Sequence, residues 1–309
     1  MTAQRQITLL MGVLNGARYL PAQLQSIAEQ TDRNWHLICS DDGSTDGSTD
    51  NVDAFAGRHP GQVTQIRGPG TGFAANYLHM IRSLPEAPGL IAFSDQDDIW
   101  MADKLARARA ALDRFGDRPA LYCARRWVWV PSLDRRRATT APQAPLGFRN
   151  ALIENIAFGH TIVLNPAAAL VACRAAQQTG DIFAHDWWLY LLITGIGGKV
   201  LFDAGPPCLL YRQHGANALG AGQGMRAQFR RKKAVLGGAL ADRFTLNQAA
   251  MDGIRDMLTD EARTALDRFE VARASRTAPR LAALSTLGPY RQSRLATLGF
   301  WGAAGLGRI

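Results

Sequence analysis

Gly89-Leu90-Ile91-Ala92-Phe93-Ser94-Asp95-Gln96-Asp97-Asp98-Ile99-Trp100 joins an apolar run to three carboxylates within four residues. The apolar half, bounded by Pro88 and by polar residues, predicts a buried strand. Like charges at the mouth of such a strand repel one another and resist desolvation. A divalent cation between them relieves both costs, and hard carboxylate oxygens suit Mg2+ or Mn2+. A metal held by two or three protein oxygens keeps positions open for phosphate. The stretch therefore predicts a metal–diphosphate site at the end of a strand.

The first hundred residues alternate strand and helix. Ile7–Val13, Trp35–Cys39, Val63–Ile66 and Leu90–Phe93 are predicted strands. Tyr19–Gln30, a helix entered through Asp41–Asp46 and continued by Val52–Ala56, and Phe73–Leu84 are predicted helices. That alternation means βαβ units and a mostly parallel mixed sheet flanked by helices, an α/β fold. Ligands of such sheets bind outside the carboxyl ends of the strands, where both Asp41-Asp42 and Asp95–Asp98 fall. Beyond a predicted helix over Lys104–Phe115 the pattern loosens. Leu121–Val130 is predicted as one strand, Arg135–Phe148 as an exposed loop and His160–Leu164 as a strand. Pro166–Gln177 and Ala184–Ile193 follow as helices, then strands at Lys199–Asp203 and Leu209–Arg212. From Gly224 the chain is predicted all-helical.

The chain has 309 residues, 47% of them hydrophobic, enough for one large domain and an appendage. Cys39, Cys123, Cys173 and Cys208 form no CxxC pair, which argues against a zinc site or a disulfide framework. No secretory leader is evident before Ile7–Val13, and no stretch makes a good bilayer span, so a soluble cytoplasmic protein is expected. The net charge of +9 lies almost wholly in the last third. Ala216–Ile309 holds 15 Lys/Arg against 7 Asp/Glu.

Several residues besides the acidic run are candidates. Asp41 or Asp42 would accept from a nucleotide base, or else serve a helix start with Ser44 or Asp46 capping. Gly68–Gly72 would offer backbone N–H groups to phosphate, or be an ordinary loop. In His185-Asp186-Trp187-Trp188, a carboxylate beside indoles would have a raised pKa and could act as a general base. Trp187 and Trp188 would stack on a sugar, or else be core aromatics behind a helix cap. Arg212 would contact phosphate or sugar, and His214 would be a metal ligand or a structural histidine.

The ordered set resembles the family 2 glycosyltransferases of the GT-A (nucleotide-diphospho-sugar transferase) fold, and within them bacterial rhamnosyltransferase-like members of polysaccharide biosynthesis. Carrying the resemblance are Asn15-Gly16 with Tyr19-Leu20 and Gln23-Leu24, then Ser40–Asp46, then Gly72-Phe73 with Asn76. Phe93–Trp100 with Asp103-Lys104-Leu105, Gly159-His160-Thr161 with Asn165, His185–Trp188, and Tyr211–Gly215 with Asn217 complete it. It spans roughly residues 7–220, which implies a catalytic domain over 1–220 and a basic helical region over 221–309.

The resemblance implies an inverting, metal-dependent transfer from a dTDP- or UDP-linked sugar, with L-rhamnose one choice, to a glycan or lipid-linked glycan. Asn15, Asp41, Asp42, Gly72, Asn76 and Asp95 would bind the donor nucleotide, Asp42 at its base. Asp95, Asp97 and His214 would hold Mg2+ or Mn2+, and Asp186 would be the catalytic base, while Asp98 would serve structure at the next helix. One departure stands out: Leu14 occupies the place of the family's aromatic residue, so stacking on the base there would be lost. A nucleotidyltransferase and a non-catalytic sugar-nucleotide binder are the rival functions.

The tail adds a separate signal. Arg226 and Arg230–Lys233 cluster at its start, and Val271–Ile309 holds six Arg, no acid, and interleaved Leu, Phe and Trp. An interfacial segment on an anionic membrane and a helical appendage with solvated Arg both fit. Nucleic-acid binding does not, because no recognition motif accompanies the charge.

Overall fold

A computed structural model describes residues 5–85, 88–214 and 239–309. Its main sheet has seven strands in the order β10-β6-β9-β4-β1-β2-β3. These are β1 (Ile7–Val13), β2 (Trp35–Asp41), β3 (Val63–Arg67), β4 (Leu90–Ser94), β6 (Ala120–Ala124), β9 (Val163–Leu164) and β10 (Lys199–Asp203). Pairings β1–β2, β1–β4, β2–β3 and β6–β10 are parallel, while β9 runs antiparallel to both neighbours. β4 and β6 are buried at every position, because helices cover both faces of the sheet.

Alternate side chains feed two cores. Leu9, Met11, Ala92 and Tyr122 pack with α1 (Leu20–Ala28), α2 (Ser48–Arg58) and α4 (Lys104–Asp113). Leu10, Ile91, Phe93 and Leu121 pack with α3 (Phe73–Arg82), α5 (Phe148–Ala151), α6 (Pro166–Gln178) and α7 (His185–Gly195). The second core also takes in Phe244, Met251, Phe269, Leu284, Phe300 and Ile309. These come from α8 (Ala239–Asp252), α9 (Asp260–Ala274), α10 (Thr277–Leu287), α11 (Arg294–Gly305) and the C-terminus. The C-terminal helices thus share a hydrophobic core with the sheet. The expected boundary at 220/221, with Gly215, Asn217, Arg226 and Arg230–Lys233, lies outside the described residues. Among the described residues, no helix is long and apolar enough to cross a membrane.

The architecture corrects the sequence reading in its middle third. Leu121–Val130 is two strands, β6 and β7 (Trp127–Val130), which belong to different sheets. Arg135–Phe148 is not all loop, since β8 (Arg135–Ala138) pairs antiparallel with β7. Its outward arginines hide the strand from an apolar search. A 3-10 turn, Gly159–Thr161, occupies the start of the strand expected at His160. The second sheet, β5-β11-β7-β8, is completed by β5 (Ile99–Trp100) and β11 (Leu209–Arg212).

Two topological facts position the site. β9 runs against β4, so the turn that leads into it lies beside the carboxyl end of β4; Phe93 N–H donates to the Ile162 carbonyl at 3.3 Å. β11 runs antiparallel to β5, so the residues after it return alongside Asp97-Asp98.

Candidate active site

The parallel register sets the base of the crevice. Val13 is opposite Asp41 and Met11 opposite Ser94, so the loops after β2, β1 and β4 open side by side. Gln96 bridges two of them. Its amide oxygen accepts from Leu14 N–H and its amide nitrogen donates to the Leu14 carbonyl, both at 2.9 Å. The middle residue of the acidic run thus acts as a strand partner that fixes the carboxylates on either side.

The acidic run is packed with imidazoles. His160 Nδ1 lies 2.8 Å from Asp95 Oδ2 and 3.2 Å from Asp98 Oδ2. Its Nε2 lies 2.7 Å from Arg126 Nη1. A guanidinium only donates, so Nε2 accepts, Nδ1 carries the proton, and that proton is given to Asp95. Burial pushes the His160 pKa down to about 4, which keeps the ring neutral in this role. Arg126 is itself held over Phe158, 3.5 Å from the ring centroid, and over Tyr211 at 4.5 Å. On the other flank His214 Nε2 meets Asp97 Oδ2 at 2.6 Å, and the imidazole stacks on Tyr19 at 4.5 Å between centroids. Arg212 Nε donates to the Asp97 carbonyl at 2.9 Å, with the guanidinium over Tyr19 and Trp129.

The site shifts the three carboxylates in different directions. Burial pushes Asp95 up, but bonds from His160 and Tyr77 together with the nearby imidazoles bring it below the ordinary value. Burial and then the charge of Asp95 hold Asp97 above it. Burial, then Asp95 and Asp97, push Asp98 well above it. Asp98 is fully buried and its Oδ2 lacks a hydrogen bond of good geometry. It is therefore not the cap expected for the following helix, which starts six residues later at Lys104. It belongs to the cluster: ligand atoms of Asp95, Asp98 and His160 all lie within 4.8 Å of one another. Three crowded carboxylates, and a buried Asp98 oxygen without a hydrogen bond of good geometry, are hard oxygen donors that fit a divalent cation, while His160, with both ring nitrogens engaged, orients Asp95.

The β2 loop is different. Asp42 Oδ1 accepts from Gly70 N–H at 2.7 Å and Oδ2 from Gly72 N–H at 2.9 Å. The glycine-loop amides expected to face phosphate are thus directed at Asp42 instead. Gly68 is needed there, since a Cβ would come within 2.7 Å of Asp42 Oδ1. Asp41 accepts from Gly43 and Ser44 N–H, and Asn15 Oδ1 from Thr45 N–H at 2.9 Å. Asn76, expected at the nucleotide, is buried; its amide nitrogen donates to the Ser40 carbonyl at 2.9 Å and its oxygen accepts from the Ser40 hydroxyl. It staples α3 to β2 because a buried amide needs both partners. Asp46, rather than capping α2, braces its first residue Ser48 and the Ala17 N–H.

Asp186 is the second residue of α7, not its cap. Its Oδ2 accepts from Gly159 N–H at 3.2 Å and its Oδ1 from Trp187 N–H at 2.7 Å. Burial outweighs these bonds and pushes the carboxyl up to about 6. One turn therefore holds both chemical groups: Gly159 binds Asp186 and His160 binds Asp95. Gly159 has no alternative there, because a Cβ would sit 2.5 Å from His185 Nε2.

Trp187 and Trp188, expected at the sugar, are core residues. Trp188 is 0% exposed, and Trp187 donates through Nε1 to the Ala151 carbonyl at 2.7 Å and meets Phe183 and Phe244 edge-on. Sequence reasoning gave no role to His160, Arg126 or Gln96. The Gly159-His160-Thr161 stretch was the only local signal for the first, and nothing local marks Arg126.

Similarity to known proteins agrees with this geometry. Residues 8–177 match the model of glycosyl transferase family 2. A dTDP-rhamnosyl transferase, RfbG of Shigella flexneri, is 29% identical over 230 residues, which are 72% of this chain and 77% of that one. The glucosyltransferase WfgD of Escherichia coli, which uses UDP-Glc and a GlcNAc-diphosphoundecaprenol, is 33% identical over 100 residues, 32% of this chain and 38% of the relative. Among solved structures, S. aureus TarS with UDP-GlcNAc superposes with a TM-score of 0.55 at 11% identity over 91% of this chain and 80% of that one. The mannosyltransferase PcManGT of Pyrobaculum calidifontis, with GDP-Man and Mn2+, gives 0.53 at 17% identity over 99% and 86%. The layered sheet with its helices is the GT-A fold, and the chain belongs to glycosyl transferase family 2 and is a glycosyltransferase.

Proposed function

We propose that the protein is a metal-dependent, inverting glycosyltransferase of bacterial surface-polysaccharide biosynthesis. It takes a sugar, L-rhamnose by preference, from a dTDP- or UDP-linked donor. It adds that sugar to a glycan or lipid-linked glycan at the cytoplasmic face of a membrane. The similarity to a dTDP-rhamnosyl transferase over 72% of the chain supports the sugar. The observation that carries the chemistry is the Gly159–Thr161 turn, which ties Asp186 and Asp95 to neighbouring residues.

Asp95 and Asp97, with His214, would hold Mg2+ or Mn2+, and Asp98 and His160 back them. The cation supplies charge stabilisation for the departing nucleoside diphosphate. Asp186 accepts the proton of the acceptor hydroxyl as that oxygen bonds to the anomeric carbon and the bond to the diphosphate breaks. A carboxyl near 6 is ionised at neutral pH yet more basic than an ordinary aspartate, which suits a general base. One base and one stabilised leaving group suffice for a single displacement with inversion. Arg126, acting through His160, holds Asp95 in a fixed orientation. Asp42, held by the Gly70 and Gly72 N–H groups, would accept from the donor's base with its remaining lone pairs.

A thermal-shift screen of nucleotide sugars with and without Mn2+ tests this. Stabilisation by a dTDP- or UDP-sugar only with metal is expected, and so is release of nucleoside diphosphate on turnover. Release of pyrophosphate would instead identify a nucleotidyltransferase, and no response to any nucleotide sugar would sink the proposal.

A further inference from the structure

Helix α11 is apolar on the face it turns to solvent. Phe300, Ala303 and Ala304 face the core. Its outward stripe is Leu295, Leu298, Gly299, Gly302 and, just past the last turn, Leu306. At 100° per residue these fall within roughly a third of the helix circumference. Leu295 is 79% exposed, Leu298 66% and Leu306 69%. No polar side chain interrupts the stripe. An ordinary surface helix would carry Lys and Glu there, and a clustered apolar patch of this kind marks an interaction surface.

Arginines bracket the stripe. Arg294 opens α11 and Arg308 follows it, both exposed. The start of α10 is tied to the end of α11, because Arg280 Nη1 donates to the Ala304 carbonyl at 3.0 Å. Exposed Arg276 therefore lies at the Leu306 end. Beside the stripe a cleft of about 670 Å3 opens between α11 and Gln143–Pro145, lined by Leu298, Trp301, Arg291 and Arg294 among others.

We propose that this face of α11 docks the protein on an anionic lipid leaflet. Leu295, Leu298 and Leu306 enter the interface while Arg276, Arg294 and Arg308 meet headgroup phosphates. The inference extends the functional reading above only in supposing a lipid-linked acceptor. Charge selects the occupant. A second copy packed on the same face would set arginine rims against each other. Residues 215–238 carry five basic residues and no acid, a composition that offers the arginine rim no complementary charge.

The test is co-sedimentation of the full chain with phosphatidylcholine vesicles, with and without about a third phosphatidylglycerol. Leu295→Glu with Leu298→Glu is the variant, because both side chains are exposed and lie outside the active site. We expect the wild type to partition at least tenfold better onto anionic vesicles and the variant to lose at least tenfold. The donor-induced thermal shift in Mn2+ should be unchanged in the variant. Failure of the wild type to partition would overturn the proposal. So would a variant that partitions as the wild type does, which would assign binding to Arg226–Lys233. Concentration-dependent self-association that the variant abolishes, without vesicle binding, would make the face a dimer interface instead. Vesicle binding with no response to nucleotide sugars would leave the docking surface standing and sink the functional reading.

Discussion

Two strands of the sheet end at Ser-Asp within an acidic stretch, and the carboxylates there find different partners. β2 runs into Ser40-Asp41-Asp42 and β4 into Ser94-Asp95-Gln96-Asp97-Asp98. At the β2 end, backbone amides of Gly43, Ser44, Gly70 and Gly72 satisfy both carboxylates. At the β4 end the imidazoles of His160 and His214 do only part of that task. Asp97 and Asp98 are held above the ordinary carboxyl range, and one buried oxygen of Asp98 lacks a good hydrogen bond. The first cluster draws its donors from the protein's own backbone. The second is built for something that brings positive charge. Acidic residues at a strand end signal a cation site where the chain withholds its own donors.

The largest effect is expected at the β4 end. Asp97→Asn is expected to lower sugar transfer by about a thousandfold, within the range seen when a single catalytic electrostatic group is removed. It should leave the metal-free protein as stable as wild type or slightly more so, since it removes a charge that burial and Asp95 disfavour. A thermal melt in chelator beside a transfer assay checks both, and a marked loss of stability would erase the contrast.

Asp186→Asn comes next, with transfer down by about a hundredfold to ten-thousandfold and the metal-dependent donor shift retained. The pH profile sharpens the same point. The folded carboxyl is raised to about 6, so the ionised base is present above that pH and lost below it. Transfer should fall as pH drops through about 6, and a profile flat to pH 5 would remove Asp186 from the role.

The smallest change concerns the self-satisfied end. Asp42→Asn keeps one acceptor for two glycine amides and should cost about 1–3 kcal/mol of stability. Chemical denaturation measures it. The metal requirement should not change, and a variant of wild-type stability with altered metal affinity would show that the two clusters are not distinct.

The buried, helix-flanked strands and their alternation with helices were legible because a parallel sheet covered on both faces writes apolar runs into the chain. The acidic motif and the Asp186 stretch were legible as residue types in order. The second sheet was not, because β8 is three arginines and an alanine, and its pairing with β7 depends on partners outside its own sequence. Nor was the partition of HDWW, where one carboxylate reaches the crevice and two indoles fill the core.

The sequence by itself determined the fold class, the family resemblance and the set of carboxylates, since these follow from local period and residue type. Only the tertiary structure decided which carboxylates are already paired, that Arg126 and His160 orient Asp95, and that α11 turns leucines outward. Those are questions of which group faces which across tens of residues. Local sequence cannot answer them, because a hydrogen bond or an exposed face is set by the neighbours that the fold brings near.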